Sequence, residues 1–159
     1  MPPVTLSEIR PDIEDAVLAL RVAPGQERFV SGVADSLAEA AAAPEAHPWS
    51  RAVLDHGVPV GFVMLAWDVE PVDGLRGPYF LWKLLIDSRY QRLGHGTAAL
   101  ALVVREVRAS GGDTLLTSCA PGDGSPQPFY EGLGFVPTGE VDADGEVHLA
   151  LDLTTGEPR

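Results

Sequence analysis

A glycine-containing turn, Gln91-Arg92-Leu93-Gly94-His95-Gly96-Thr97, lies between an apolar segment and an amphipathic one. The segment before it, from Tyr79 to Ile86, is apolar at every position except Lys83, and a continuous run of this length predicts a buried strand. The segment after it, from Gly94 to Arg108, places apolar side chains on one face and predicts a helix. A buried strand that turns directly into an amphipathic helix indicates a layered α/β fold.

The chemistry of this turn favours a bound pyrophosphate. Glycine at positions 94 and 96 lets the backbone turn tightly and brings its N–H groups close to a ligand. The following helix adds unsatisfied N–H donors and the positive end of its dipole. A plain strand-to-helix turn is the alternative, since any glycine-rich turn produces so short a pattern. Two nucleotide motifs are excluded: G-x-x-x-x-G-K-[ST] is absent, and the dinucleotide fingerprint fails at Ala99 and lacks a repeated βαβ half.

The remaining elements follow from periodicity and from the positions of glycine and proline. The whole order is strand, two helices, three strands, helix, strand, helix and two strands, which is a mixed α/β architecture in one domain. The other predicted strands are 4–10, 50–54, 58–67, 114–118, 135–141 and 146–153, and the other predicted helices are 11–20, 26–43 and 126–133.

The chain is acidic overall and basic around the glycine turn. Its net charge of −12 argues against nucleic acid as a partner and would attract cations such as polyamines and aminoglycosides, although the same charge also serves solubility. A local positive field suits a ligand that carries phosphate. Nearly half of the basic residues create that field within one short segment: Lys83, Arg89, Arg92, Arg105 and Arg108.

Composition also removes several classes of protein. No apolar run approaches the length of a membrane span and the N-terminus lacks a secretory signal, so we expect no membrane partner. The single cysteine, Cys119, cannot form an internal disulfide, which makes the cytoplasm the default location. We interpret Cys119 as a small buried residue rather than a nucleophile. We expect no metal, because no ligand spacing connects His47, His56, His95 and His148.

A second informative segment is Pro128-Phe129-Tyr130-Glu131-Gly132-Leu133-Gly134-Phe135. It predicts a short helix with two adjacent aromatic residues, a glycine that ends the helix, and a strand that begins at Phe135. Taken alone, Phe129 and Tyr130 are best interpreted as core aromatics. Tyr130 differs from Phe129 because its hydroxyl needs a hydrogen-bond partner when it is buried.

The two segments, in this order and at this spacing, resemble the GNAT N-acetyltransferase family. The resemblance spans the whole chain and is strongest from Tyr79 to Phe135. It implies one domain over residues 1–159, with a mixed twisted sheet of about seven strands that splits between the fourth and fifth, and about four helices. It also implies acetyl-CoA as cosubstrate, no metal, and a small-molecule amine as acetyl acceptor; a homodimer is compatible with it.

The resemblance assigns roles to particular residues. The glycine turn would bind the CoA pyrophosphate through backbone N–H groups, and a bulge in the preceding strand would free backbone groups for the pantetheine arm and the thioester carbonyl. Tyr130 would lie beside the CoA sulfur and protonate the leaving thiolate as general acid. The residues expected to bind the cosubstrate are Leu84, Leu85, Ile86, Gln91, Arg92, Leu93, Gly94, His95, Gly96, Thr97, Asp123 and Phe129.

Two positions depart from the family pattern. Many relatives carry asparagine after the fifth strand, where this chain has Asp123, and a carboxylate there would contact CoA differently. Some amine acetyltransferases carry a glutamate base on the fourth strand, where this chain has Trp82. The base is therefore another carboxylate, a water chain or bulk solvent. Asp68 and Glu70 are the candidate carboxylates, and solvated loop residues are the equally strong alternative.

Segments outside the two motifs look like the bacterial spermine/spermidine (diamine) N-acetyltransferase group, among them residues 22–30, 61–64 and 81–87. This narrower resemblance, the net charge, and the acidic residues Asp68, Glu70 and Asp73 favour a polyamine such as spermine or spermidine as acceptor. Trp82 and Phe62 would supply an apolar wall that favours the neutral amine, with core packing as the stronger interpretation of both residues. Two alternatives stay open: a GNAT enzyme that acts on an antibiotic or another small amine, and a non-catalytic CoA-binding sensor.

Overall fold

A seven-stranded mixed sheet forms the centre of the molecule in a computed structural model that describes residues 2–72 and 75–154. In chain order, its strands are β1 (Val4–Ser7), β2 (Pro48–Asp55), β3 (Val58–Ala66), β4 (Phe80–Ile86), β5 (Thr114–Cys119), β6 (Val136–Val141) and β7 (Val147–Asp152). They lie side by side in the order β1-β2-β3-β4-β5-β7-β6. Every neighbouring pair is antiparallel except β4 and β5, which are parallel.

Helices cover both faces of this sheet. They are α1 (Pro11–Leu18), α2 (Val33–Ala42), α3 (His95–Ala109) and α4 (Gln127–Gly132), with single 3₁₀ turns at Pro44–Ala46 and Ser88–Tyr90. α3 is the crossover that a parallel pair requires, because it carries the chain from the end of β4 back to the start of β5. Seven strands, one parallel pair and four helices confirm the predicted GNAT fold.

β3 shows why the sequence of the central strands is apolar at nearly every position. Val63 and Leu65 pack into the core beneath α3, whereas Phe62 and Met64 pack into a second core beneath α1 and α2. Successive side chains of a strand point to opposite faces, so a strand with helices on both sides needs apolar residues throughout. The sheet therefore has two hydrophobic cores, one for each helical layer.

β4 and β5 separate part-way along their length. They pair only through Phe80 and Leu81 of β4. The next residue, Trp82, is an extra residue in the pairing of β4 with β3, so a β-bulge lies where the separation begins. From Lys83 onward, the edge of β4 that faces β5 has no strand partner among the described residues. The split lies between the fourth and fifth strands, as the resemblance implies, but the bulge lies at Trp82 itself, two residues before the position that the resemblance implies.

The predicted helix over residues 26–43 is wrong in its first third. α2 begins only at Val33, after the N-cap Gly32, and residues 23–31 form a series of turns. Side chains replace helical hydrogen bonds in this segment: Gln26 accepts from the Ala23 N–H at 3.1 Å, and Glu27 accepts from the Gly25 N–H at 2.8 Å. Local side-chain bonds of this kind compete with the helix, and apolar periodicity cannot reveal them.

Candidate active site

A cleft of about 700 Å³ opens where β4 and β5 separate. Its walls come from the segment before α2, from β4 and the turn that follows it, from β5, and from the start of α4. Openings of this kind, at the ends of strands in an α/β sheet, are where ligands bind. Most residues predicted from the sequence line it, namely Trp82, Leu84, Ile86, Gln91, Arg92, Gly94, His95, Gly96, Thr97, Phe129 and Tyr130.

The N-terminus of α3 supplies free backbone donors at one end of the cleft. The first helical bond here runs from the Ala98 N–H to the Gly94 carbonyl at 3.0 Å, so the N–H groups before Ala98 have no partner within the helix. Gly94 has a φ of +89°, a left-handed conformation that glycine adopts at little cost. A Cβ at Gly96 would lie 3.2 Å from Phe129 Cζ, inside the space that a ligand would need. These features fit an anionic group such as a pyrophosphate.

The side chain of His95 has a structural role beside these backbone donors. It is 3% exposed and connects two elements: Nε2 lies 2.8 Å from Asp55 Oδ2 on β2, and Nδ1 lies 3.0 Å from the Tyr90 carbonyl. Hydrogen bonds from His95, and then from His56, hold the pKa of Asp55 below its ordinary value. His95 therefore fixes the start of α3 against β2, and its contribution to a ligand would come from its backbone.

Gln91 and Asp87 hold the turn between β4 and α3 in place. The Gln91 amide donates to the Ile86 carbonyl at 2.9 Å and to Gln26 Oε1 at 2.7 Å, which joins the turn to the segment before α2. Asp87 is 3% exposed and accepts from the backbone N–H groups of Arg21 and Arg89 and from the Arg89 side chain. Burial alone would raise the pKa of Asp87, but these hydrogen bonds outweigh it and the pKa is lowered.

Tyr130 projects from α4 to the inner wall of the cleft and is only 6% exposed. Its ring packs edge-to-face against Phe129 and Phe135, each with 5.4 Å between ring centroids. Burial raises the pKa of Tyr130 well above its ordinary value; the neighbouring Cys119 adds to the increase, and the Thr117 hydroxyl opposes it. The phenol therefore keeps its proton through the neutral and mildly alkaline range and is available as a donor.

Cys119 lies near Tyr130 and is buried, as the sequence predicts. Burial raises the pKa of its thiol, and Ser125 Oγ lies 3.9 Å from Sγ. Only the thiolate is strongly nucleophilic, so a thiol with a raised pKa is poorly suited to form an acyl-enzyme. Cys119 is therefore a small residue of the cleft wall.

Five of the predicted site residues do not line the cleft. The Leu85 side chain points into the core beneath α1 and α2, Leu93 is 59% exposed, and Asp123 is exposed and bonded through its carbonyl to Arg28. Asp68 and Glu70 are exposed and lie at neither this cleft nor the cavity beside it. Asp73 lies outside the described residues. Within residues 2–72 and 75–154, no helix has the length and apolarity of a membrane span, and no group of side chains is arranged to hold a metal.

A second cavity, of about 520 Å³, adjoins the cleft and was not anticipated from the sequence. The two share Phe29, Trp82, Lys83 and Ser118 as walls. One signal was present: strand alternation places residues 146 and 148 on the same face, next to the turn at residues 142–145. The position of β7 beside β5 decides where that face points. The remaining walls of this cavity are Glu39, Arg76, Phe80, Asp142, Ala143, Asp144, Glu146 and His148.

The chain matches the model of a known protein family over most of its length. The model of the acetyltransferase (GNAT) family matches residues 15–135, well over half of the chain. The chain belongs to the GNAT acetyltransferase family. This membership confirms the enzyme class expected from the sequence, an acetyl-CoA-dependent N-acetyltransferase. No curated protein matches the chain significantly.

Solved GNAT structures share the fold at low sequence identity. A GNAT-family protein from Desulfovibrio desulfuricans is 24% identical with a TM-score of 0.68, over 96% of this chain and 100% of its own. The ribosomal-protein-S18-alanine N-acetyltransferase from Escherichia coli is 17% identical with a TM-score of 0.64, over 98% and 97% of the two chains. An aminoglycoside 6'-N-acetyltransferase in complex with coenzyme A is 19% identical with a TM-score of 0.67, over 98% and 99%. These likenesses confirm the fold.

Proposed function

We propose that this GNAT enzyme binds acetyl-CoA in the cleft between β4 and β5 and transfers the acetyl group to a cationic primary amine, with a polyamine such as spermine or spermidine as first choice. One observation supports acetyl-CoA as the cosubstrate: a single cleft has free N–H groups of α3 at one end and the protonated phenol of Tyr130 on its inner wall. The coenzyme A bound to the structurally similar aminoglycoside acetyltransferase supports it.

In this proposal, the backbone holds the ligand and only one side chain moves a proton. The N–H groups of residues 94–97 bind the pyrophosphate, next to Gly96, whose missing side chain leaves room for it. Backbone groups of Leu84, Leu85 and Ile86, on the unpaired edge of β4, bind the pantetheine arm and polarise the thioester carbonyl. Acetyl-CoA supplies an activated acyl group, and Tyr130 protonates the thiolate that leaves.

Charge in the second cavity supports a cationic acceptor. Two of its carboxylates have side-chain partners, since Glu39 lies 3.2 Å from Lys83 Nζ and Asp142 Oδ2 lies 2.9 Å from His148 Nε2. Within the described residues, no salt bridge engages the other two, Asp144 and Glu146. The net charge of −12 adds a long-range attraction for a polycation.

A thiol-release assay over a panel of amines tests this proposal. The panel contains spermine, spermidine, a diamine, a monoamine, an aminoglycoside and a peptide with an N-terminal alanine, because structurally similar enzymes act on the last two classes. We expect thiol release with the polyamines to exceed release with the monoamine. If the enzyme prefers the aminoglycoside or the peptide, that amine replaces the polyamine as the proposed acceptor. If the protein binds acetyl-CoA but releases thiol with no amine, it is a CoA-binding sensor.

A further inference from the structure

We propose that His148 of β7, held by Asp142, accepts the proton that the acceptor ammonium must lose before it attacks the thioester. This inference rests on the proposed function, since it assumes a cationic amine in the second cavity. It answers the question left by Trp82, which stands where some relatives carry a glutamate base. His148 would be a catalytic residue and Asp142 a positioning residue.

His148 has the position and rigidity that a base needs. It lines the second cavity, whose walls Trp82 and Ser118 also belong to the main cleft. Ser118 of β5 and His148 are direct partners in the sheet, so both side chains leave the same face. The His148 side chain is 7% exposed, and its ring stacks on Phe80 at 6.4 Å between centroids. The imidazole therefore lies one strand away from the split, in a fixed orientation.

Asp142 determines which ring nitrogen can take a proton. Its Oδ1 accepts from the backbone N–H groups of Asp144 at 2.9 Å and Glu146 at 3.1 Å, and its Oδ2 lies 2.9 Å from His148 Nε2. The bond with His148, followed by these two backbone bonds, holds the pKa of Asp142 below its ordinary value, so the carboxylate is ionised. A carboxylate only accepts, and Nε2 of the neutral imidazole must therefore carry the hydrogen.

The tautomer leaves Nδ1 of His148 with a free lone pair. Within residues 2–72 and 75–154, Nδ1 has no hydrogen-bond partner, and no fully buried side-chain nitrogen there lacks one. Nδ1 is therefore open to the space of the cavity rather than sealed in the core. A base with one nitrogen fixed by a carboxylate and the other facing the substrate is the arrangement used in Asp–His catalytic pairs.

With His148 as the base, every proton in the reaction has a donor and an acceptor. The ammonium passes one proton to His148 Nδ1, and the resulting imidazolium releases it to solvent after each turnover. The neutral amine attacks the carbonyl carbon, the C–N bond forms, and the C–S bond breaks. Tyr130 gives its proton to the leaving sulfur and regains one from the nitrogen, which has become cationic on attack. The products are the N-acetyl amine, CoA thiol and one proton in solvent.

Carboxylates predominate around His148. Glu140 Oε2 lies 3.9 Å from Nε2, and Glu146 contacts the neighbouring Ser118 at 2.7 Å. The two basic residues of the cavity wall are matched by carboxylates: Arg76 pairs with Glu140 at 2.7 Å, and Lys83 pairs with Glu39 at 3.2 Å. Asp144 adds a further negative charge at the rim. This excess of negative charge would draw a cationic amine towards His148.

A purely structural role is the competing explanation, because the same bond between Asp142 and His148 fastens the turn between β6 and β7. The two roles differ in how they depend on the acceptor. A base is needed only for an amine that is protonated at the assay pH, whereas a structural residue affects every amine alike. Amines of similar size but different pKa therefore separate the two roles.

The experiment compares wild type, His148→Gln and the matched control His47→Gln near neutral pH, with primary monoamines whose pKa values range from about 10 down to below the assay pH. His47 is exposed and lines neither cavity. We expect His148→Gln to lower kcat/KM by about 100-fold for the most basic amine and to leave it nearly unchanged for the least basic one. His47→Gln should match wild type throughout.

Other results have defined meanings. An equal loss for all amines, or no loss for any, overturns the role of His148 and leaves the acetyltransferase proposal intact. Wild type that transfers neither to these monoamines nor to spermine or spermidine overturns both. If His148→Gln fails to fold, Asp142→Asn provides the same test. The amide oxygen of the new asparagine still accepts from the backbone N–H groups of the turn. Its NH₂ group donates to Nε2 of His148, which would force the imidazole hydrogen onto Nδ1 and leave no lone pair there for the substrate. The same dependence on amine pKa is expected for Asp142→Asn.

Discussion

The side chain of Phe129 lies between the glycine turn and Tyr130 and contacts both. Its Cζ lies 3.2 Å from where a Cβ of Gly96 would be, and its ring packs against Tyr130 at 5.4 Å. A side chain at position 96 would therefore displace Phe129, and with it the packing of the phenol that we propose as general acid. The glycine and the aromatic pair, far apart in the chain, form one contact network.

Replacing Gly96 with valine should weaken acetyl-CoA binding severely. The new side chain meets Phe129 and also Ile86 Cγ1, which is 3.8 Å from the Cβ position, and it occupies the approach to the free N–H groups. Isothermal titration calorimetry measures the affinity directly. Gly32→Ala is the matched control, because nothing lies within 4 Å of its Cβ position. Unchanged affinity in Gly96→Val would show that the pyrophosphate binds elsewhere.

Tyr130→Phe should lower kcat by about 100-fold and change the KM for acetyl-CoA much less, because the hydroxyl acts in the transition state. The ring and its packing against Phe129 and Phe135 are kept in this variant. Steady-state kinetics with acetyl-CoA varied at saturating acceptor provide the test. In wild type, the raised pKa of Tyr130 means that loss of the phenol proton should not reduce the rate until the pH exceeds about 10. Full turnover in Tyr130→Phe would leave protonation of the thiolate to water.

At the scale of elements, the start of α3 is positioned by side chains of other strands and turns. His95 ties it to Asp55 of β2, and Gln91 ties the preceding turn to Ile86 of β4 and to Gln26. A helix N-terminus binds an anion well only when its donors are held in place before the ligand arrives. The polar contacts of this turn would thus prepare the proposed pyrophosphate site as well as stabilising the fold.

Asp55→Asn should destabilise the protein in a pH-dependent way. The pKa of Asp55 is lowered in the folded state, so the ionised carboxylate contributes stability that is complete above its unfolded value of about 4 and is lost as the pH falls through the folded value. The difference between wild type and variant should therefore be largest near neutral pH and should shrink in strong acid. Urea unfolding at several pH values measures it. A difference that does not vary with pH would assign the effect to packing alone.

Across the whole molecule, carboxylates are concentrated at the second cavity rather than at the main cleft. Arg92 and the free N–H groups of α3 lie at the main cleft, whereas the turn between β6 and β7 places Asp142, Asp144 and Glu146 around the second cavity. The two cavities meet at Trp82, Lys83 and Ser118. A phosphate-bearing ligand and a cationic one would therefore enter from regions of opposite charge and meet where the sheet splits.

Neutralising the rim of the second cavity should reduce selectivity for long polycations. In the double variant Asp144→Asn with Glu146→Gln, we expect the KM for spermine to rise several-fold more than the KM for a monoamine, because only spermine carries distal ammonium groups for those carboxylates. Added salt should narrow the difference. The comparison variant is Asp68→Asn with Glu70→Gln, whose side chains line neither cavity. If the KM for spermine rises more in the comparison variant, the acceptor binds at the loop after β3 instead.

Local sequence patterns were enough to predict the elements and most residues of the cleft wall around the glycine turn. Apolar runs and Gly or Pro positions predicted each strand and helix within a few residues, because burial on both faces of β4 and turn formation at Gly94 are local requirements. The exception was the segment before α2, where the side chains of Gln26 and Glu27 bond the backbone and prevent helix. Periodicity contains no information about such bonds.

The positions of the acidic side chains and of His148 around the second cavity depend on the tertiary structure. β7 inserts between β5 and β6, which places His148 beside Ser118 although thirty positions separate them in the chain. Asp68 and Glu70, close in sequence to β4, point to solvent away from both cavities. Sequence distance predicts neither outcome, because the order of strands in a sheet is set by the packing of whole elements, and the walls of a cavity follow from that order.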